Sequence, residues 1–329
     1  MIISRTPFRI SFAGGGSDIS SFYTKEMGAV LSTTIDKYMY IAIHPFFDPE
    51  SIQLKYSRTE LVSDIEDIQH PIFRTVLDLF QLKGVDINSI ADIPSGTGLG
   101  SSSSFTVGLL NAIKAYQNSF ASAGYLASKA SNIEIDLLKS PIGKQDQYAA
   151  AFGGLNFITF YGDEQVSVEK IIMSPSSKKE LEKNLILIYT GEVRSANTIL
   201  KKQNNAIREK DKFETQKKMV ELAFELKESL EKNDIDYFGR ILHEGWMLKR
   251  SLVKSISNNL IDDVYDEGMK AGALGGKLLG AGGGGFLLFY CPLEKQDYFK
   301  KRMNNFKELK FNFDHFGSKI IYIGNDDEL

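Results

Sequence analysis

At 329 residues the chain exceeds what one hydrophobic core usually supports, so two domains sharing an interface are expected. Its 39 basic and 42 acidic side chains are mixed along the sequence for a net charge of −3, which leaves no basic block to engage nucleic acid or a membrane surface. No apolar run approaches the roughly 20 residues of a membrane span, a single cysteine (Cys291) excludes an internal disulfide, and four histidines (His44, His70, His243, His315) at no ligand spacing argue against structural zinc.

The opening MIISRTPF lacks the basic-then-apolar pattern of a signal segment, and a reducing, cytoplasmic setting is expected. Residues 2–12 read as a strand that Pro7 restricts to an edge or a bulge, and they run into AGGGSD, Ala13 to Asp18, by itself a turn. Residues 29–34 and 38–44 are β-branched and aromatic and read as paired strands around Asp36 and Lys37, with Ile52 to Tyr56 a weaker third. Pro71 opens a helix with Ile72, Phe73, Val76, Leu77 and Phe80 on one face. Strand pairs, a helix, an apolar stretch (Ile87 to Ile93) and then a glycine loop describe an α+β layer rather than a strictly alternating wound sheet.

That loop is Pro94 to Ser104, PSGTGLGSSSS, and it passes directly into FTVGLLNAIKAY, where Phe105, Leu109, Ala112 and Tyr116 recur at helical spacing. Glycines let the backbone approach a ligand and take positive φ, and the unpaired first-turn amides of a helix attract anions, so the expected guest is a phosphate. A Gly/Ser cluster is also the composition of a flexible linker, but linkers run through polar surroundings, and this one lies between an apolar stretch and an apolar-faced helix. It is not GxxxxGK[ST], which needs a lysine, and Gly96, Gly98 and Gly100 are not spaced as a dinucleotide fingerprint.

A second helix, Ser122 to Leu138, carries Glu134, and Asp146 follows twelve residues later, past the Pro141-Ile142-Gly143 turn. Alone, such residues are a solvated face and an Asx cap. Leu155 to Tyr161 is another strand. The polar run 164–183 is the expected boundary, giving domains 1–168 and 169–329. Leu185 to Tyr189 opens the second domain, and a helix beginning near Ser195 sets Arg194 at its N-terminus, either facing a cleft or simply on the surface.

Three apolar stripes follow: Met219, Leu222, Ala223, Leu226 and Leu230; Phe238, Ile241, Leu242 and Trp246; Leu260, Ile261, Val264, Tyr265 and Met269. They read as core faces, and His243 among them as a packed or partly exposed histidine. GAGGGG, Gly280 to Gly285, fits GxGxxG but reads as a glycine-rich helix end followed by a strand (FLLFY), the wrong context for a dinucleotide fingerprint. Lys295 to Leu309 reads as a terminal helix and Lys319 to Ile323 as a last strand.

Three segments together resemble the galactokinase, homoserine kinase, mevalonate kinase and phosphomevalonate kinase (GHMP kinase) superfamily: TPFRISFAGGGSD its first motif, PSGTGLGSSSS its second (PxxxGLGSS), and KLLGAGGGGFLLF its third. The resemblance implies an N-terminal α+β domain and a C-terminal ferredoxin-like domain with ATP and acceptor in the cleft between them. It implies that Pro94, Gly96, Thr97, Gly98, Leu99, Gly100, Ser101 and Ser102 form the ATP phosphate loop, and that Ser102 and Glu134 hold Mg2+. Asp146, within GKQDQ, and Arg9 become the catalytic candidates, and Asp18 borders the acceptor. Where galactokinases carry Glu-His this chain has Gly15 and Gly16, which leaves room and makes galactose an unsuitable substrate.

Lys37, Lys144 and Arg194 are then candidates to meet a phosphate on the acceptor. Among the branches, RTPFRISFAGGGSD, STTIDKYMY, GKQDQYAAAFGGLN and TGEVRSA most resemble the bacterial D-glycero-D-manno-heptose 7-phosphate kinases, implying ATP and a sugar phosphate as partners. L-fucose kinases carry similar motifs, and the superfamily also includes non-catalytic regulators. A monomer and a homodimer are both compatible with the sequence.

Overall fold

The structure is a computed structural model and describes residues 1–191 and 196–324. In chain order the strands are β1 (Ile2–Ala13), β2 (Gly28–Pro45), β3 (Ile52–Lys55), β4 (Thr59–Val62), β5 (Val85–Ala91), β6 (Leu155–Phe160), β7 (Val166–Lys170), β8 (Leu185–Tyr189), β9 (Gly275–Leu278), β10 (Phe286–Tyr290), β11 (Lys307–Leu309), β12 (Phe313–Asp314) and β13 (Lys319–Ile323). Strands β8 to β11 form a small sheet and the others a large one.

The large sheet runs β13-β1-β2-β5-β3-β4, with β6 and β12 also on β2 and β7 on β6. Residues 28–45, expected as two paired strands, are one continuous strand. Its first half pairs with β6 and its second with β5, while β1 lies along both. Pro7 explains why the middle looked like a turn. It has no N–H to donate, and at Pro7/Phe8 the register slips so that Asp36 and Lys37 bulge opposite it. The bulge is pinned from the far end of the chain, where Asn312 O accepts from Asp36 N at 2.9 Å and the Asp36 carboxylate accepts from Asn312 N at 2.9 Å.

The small sheet has the order β11-β8-β10-β9, antiparallel throughout, and is threaded β-α-β-β-α-β, the ferredoxin-like arrangement. LILIY in β8 is apolar at successive positions because both of its faces are covered. Leu185 and Leu187 join the main core, and Ile186 and Ile188 join a second cluster with Trp246, Tyr265 and Phe289. The three expected stripes lie on helices Lys210–Glu231, Phe238–Leu252 and Asn259–Lys270. His243 shares a 2.8 Å hydrogen bond with the Tyr265 hydroxyl and is packed.

Two boundaries differ from expectation. The polar run 164–183, expected to mark the boundary, folds into β7 and the helix Pro175–Lys183. Residues 295–309 are a short helix, Gln296–Arg302, followed by β11. The core ignores the expected division at 168/169. Helices Ser101–Tyr116 and Lys210–Glu231, one from each half, both pack on β1 and β2, and one cluster joins Phe8, Ile41 and Leu109 to Leu187, Leu226 and Phe238.

Candidate active site

The loop after β5 leads into the helix Ser101–Tyr116 as the composition predicts, and Gly96, Gly98 and Gly100 all take positive φ (78°, 87° and 76°). Gly98 has no room for a side chain, since a Cβ there would lie 2.6 Å from Leu279 O, and one on Gly280 would lie 2.5 Å from Gly98 Cα. The GAGGGG segment is therefore pressed against the phosphate-loop candidate. It joins β9 to β10, so a strand and not a helix end precedes it, and it opens into a strand rather than the helix a dinucleotide site needs.

The two glycine segments frame a cavity of about 520 Å3, lined by Gly96, Gly98, Gly100, Ser101 and Ser102 on one side and Leu279 to Gly282 on another. Pro94, Thr97 and Leu99 do not line it and hold the loop instead. The Thr97 hydroxyl donates to Pro94 O at 3.0 Å, and Leu99 O accepts from Arg9 N at 3.0 Å. Gly100 begins the helix without a side-chain cap, so its first-turn amides remain available.

Four charged groups from separate parts of the first half converge on this cavity. Arg9, on β1 and 3% exposed, donates from Nε and Nη2 to the two Asp146 oxygens at 2.7 and 2.8 Å, and from Nη1 to Gly98 O at 2.7 Å. This planar fork is the geometry that only arginine supplies, and it fixes the carboxylate relative to the glycine loop. Asp146 is in the first turn of the helix Gln145–Phe152. Asp18 accepts from Gly16 N at 2.9 Å and from the backbone and side-chain nitrogens of Gln145 at 3.1 Å. Burial pushes its carboxyl up from the ordinary value, and neighbouring Asp146 adds to the shift. A Cβ on Gly143 would sit 1.9 Å from Asp18 Oδ2, so the turn that ends the preceding helix has to be glycine there.

Glu134 lies in a π-helical segment, Asn132–Leu137, that continues the helix Ala123–Ser131. Such segments recur at functional sites because the wider turn re-aims a side chain. The carboxylate accepts from Ser102 Oγ at 2.8 Å and from Gln147 Nε2 at 2.7 Å. Burial raises its pKa, and the hydrogen bonds from Ser102 and Gln147 oppose the shift. The two proposed Mg2+ ligands thus touch. Among the described residues no cluster of three or more His, Cys, Asp or Glu is placed to hold an ion alone. A buried carboxylate and a hydroxyl at the mouth of a phosphate loop fit an ion that takes its remaining ligands from phosphates and water.

The other acceptor candidates divide. Gly15 lines the cavity, and Gly16 faces Gln203 and Gln216, whose amide atoms would lie 2.5 and 2.9 Å from a Cβ there. The space left by the missing Glu-His is therefore filled in part by two glutamines from the second half. Lys37 is not in this cavity: it belongs to the β2 bulge, where its ammonium bonds Asp36 at 2.9 Å and borders a separate hollow. Lys144 also turns away, ion-paired with Glu164 and lying over the Tyr23 ring at 4.6 Å. Arg194 lies outside the described residues.

In their place the cavity holds two lysines that were not among the candidates, Lys249 and Lys277, the second of which opens the KLLGAGGGGFLLF segment. Lys249, in the last turn of the helix Phe238–Leu252, donates to Gly280 O, and Lys277, on β9, donates to Phe12 O at 2.9 Å. Each is 7% exposed. Burial pushes Lys249 down to about 8, with Arg9 adding repulsion, and pushes Lys277 well below the ordinary lysine value, with Lys249 adding to it.

The sequence matches two family descriptions, GHMP kinases N terminal domain over residues 68–154 and GHMP kinases C terminal over residues 226–308. It is 30% identical over 312 residues to a D-glycero-alpha-D-manno-heptose 7-phosphate kinase of Campylobacter jejuni, covering 91% of this chain and 92% of that protein. The chain belongs to the GHMP kinase family. A solved structure described as a D-glycero-D-manno-heptose 1-phosphate kinase from Bacteroides thetaiotaomicron superimposes with a TM-score of 0.81 at 26% identity, over 99% of this chain and 100% of that one. A bifunctional fucokinase/GDP-fucose pyrophosphorylase of Arabidopsis thaliana is 27% identical over 92% of this chain, which spans 31% of that protein. This GHMP kinase is thus an ATP-dependent sugar kinase. No helix among its described residues is long and apolar enough to cross a membrane.

Proposed function

We propose that the protein transfers the γ-phosphoryl group of ATP to the anomeric hydroxyl of D-glycero-D-manno-heptose 7-phosphate, giving the 1,7-bisphosphate for nucleotide-activated heptose. The observation that carries the transfer is the bidentate Arg9–Asp146 pair locked to Gly98 of the glycine loop. It ties a carboxylate for the acceptor to the cradle for the donor. The choice of heptose rests on the 30% identity to the Campylobacter jejuni kinase.

In this reading the amides of Gly96 to Ser102 hold the β- and γ-phosphates, and Arg9 offsets negative charge where the phosphoryl group moves. Asp146 orients the sugar hydroxyl and accepts its proton as the new O–P bond forms and the bond to the ADP oxygen breaks. Asp18 and Gly15 shape the acceptor wall. Mg2+, held by Ser102 and Glu134, would neutralise phosphate charge.

Phosphorus-31 NMR of the reaction should show a new anomeric phosphate beside the original 7-phosphate. Efficient turnover of free L-fucose with none of the heptose 7-phosphate overturns the acceptor and leaves the kinase. No ADP release with any sugar would favour a non-catalytic regulator.

A further inference from the structure

The cleft holds more hydrogen-bond donors than the protein uses. Each lysine ammonium has three N–H groups, and Lys249 and Lys277 each spend one on a backbone carbonyl. Among the described residues neither is ion-paired with a carboxylate, although both line the cavity and both are buried. Gln203 Nε2 and Ser11 Oγ also line it, are 1% and 6% exposed as residues, and have no hydrogen-bond partner among the described residues. Arg9 differs in that its charge is paired with the Asp146 carboxylate, although two of its five N–H groups are also unused and face the transferring phosphoryl group in the reading above.

Unused donors this deep require a ligand rich in acceptors, and two close ammonium groups require one that is anionic. The positions say which anion. The nucleotide's phosphates have the glycine loop and the helix N-terminus. Lys277 is tied instead to Phe12 on β1, next to the unpartnered Ser11 and three residues before Gly15. Gln203 reaches to the same turn, against Gly16.

We propose that Lys277 and Lys249, with Gln203 and Ser11, form the subsite for a phosphate monoester that the acceptor sugar already carries. The inference takes its ligand from the sugar-phosphate reading above. A dianion there would accept from all four side chains and offset the two charges. It would also favour the protonated state that burial disfavours in both lysines. An acceptor without the phosphate leaves the donors unmade, so the subsite acts as a selectivity device.

The test is calorimetric titration of orthophosphate into the intact chain, with the nucleotide site filled by magnesium and a non-hydrolysable ATP analogue. The wild type should bind one orthophosphate, and Lys277→Met should weaken that binding by about 10-fold or more while keeping its affinity for the analogue. Gln203→Leu, which leaves both charges in place, should weaken it several-fold and serves if Lys277→Met does not fold. Unchanged phosphate binding in these variants overturns the subsite. Competition between orthophosphate and the analogue overturns it too, since the lysines would then serve the transferring phosphoryl group.

Kinetics add a second arm. Lys277→Met should lower kcat/KM for the sugar phosphate far more than for the free sugar, reducing the preference by about 10²-fold. Equal losses on both acceptors count against the subsite. If the wild type turns over no heptose 7-phosphate but Lys277→Met still loses orthophosphate, the acceptor named above falls and the anion subsite stands.

Discussion

The Arg9–Asp146 contact makes a definite statement about single residues. Both Asp146 oxygens accept from one guanidinium, so Asp146→Asn would place an amide NH2 against N–H donors and break the fork as well as remove the charge. A loss of about 10²-fold or more in kcat is expected, with the affinity for ATP little changed, and steady-state kinetics with both substrates varied is the measurement. Near-normal turnover would remove Asp146 from the mechanism. Arg9, Asp18, Ser102 and Asp146 could be singled out because each sits at a fixed offset within a motif, and Glu134 only through the family resemblance, twelve residues before Asp146 on its helix. Lys249 lies in no motif, and Lys277, although it opens the third one, carries no sign there of what it meets. A lysine in a helix or in GGKLL looks the same whether it meets water or a cleft, and only the meeting of β1, β9 and the helix Phe238–Leu252 buries these two. Lys37 and Lys144 fail as candidates for the same reason, since nearness to a motif does not fix the direction of a long side chain.

Among elements, the glycine loops act as one unit. Gly98→Ala puts a Cβ 2.6 Å from Leu279 O and forces an L-residue to φ +87°, so the loop has to back away from the β9–β10 connection or distort. ATP binding should weaken by more than the roughly 1 kcal/mol that such changes cost through backbone terms alone. Gly124→Ala is the control, because a Cβ there meets nothing within 4 Å and it lies in the helix Ala123–Ser131. Equal ATP affinity in Gly98→Ala and the control would return this stretch to a passive loop. Element types were mostly readable from periodicity, but two joints were not. The β2 bulge at Asp36 and Lys37 looks like a turn until Pro7 and Asn312 are seen against it. The polar run 164–183 looks like a boundary between domains because β7 and the helix after it bury a single residue between them, Leu181.

Across the whole molecule, folding gathers Arg9 from the large sheet, Lys249 from a helix of the second half and Lys277 from the small sheet into one cavity with Asp18 and Asp146. Motif order revealed that the two halves share a cleft. It did not reveal that β12 and β13 return to the large sheet, since a two-residue strand carries almost no pattern and the pattern of Lys319–Ile323 does not name the strand it pairs with. The cation cluster gives the apo protein a characteristic dependence on pH. Lys249 is pushed from 10.5 to about 8 by burial first and Arg9 second, opposed by Asp18 and Asp146. Below about pH 8 the lysine is charged in both folded and unfolded chains, and its burial costs stability in full. Between about 8 and 10.5 the folded chain has lost the proton and the unfolded chain still holds it, so stability rises with pH across that window. The shift corresponds to about 3 kcal/mol, and Lys249→Met removes it. The same substitution leaves Gly280 O without its donor, at about 1–3 kcal/mol, so the absolute stability at pH 7 changes little and the slope is the informative quantity. Denaturant unfolding of both proteins at pH 7.5 and 10 should show the wild type gaining on Lys249→Met by up to about 2–3 kcal/mol as pH rises; lysines outside the cleft cancel in the difference, whereas Lys277, whose charged form Lys249 disfavours, titrates differently in the two proteins. A stability gap that does not move with pH would mean that the Lys249 ammonium is not held out of water in the empty cleft.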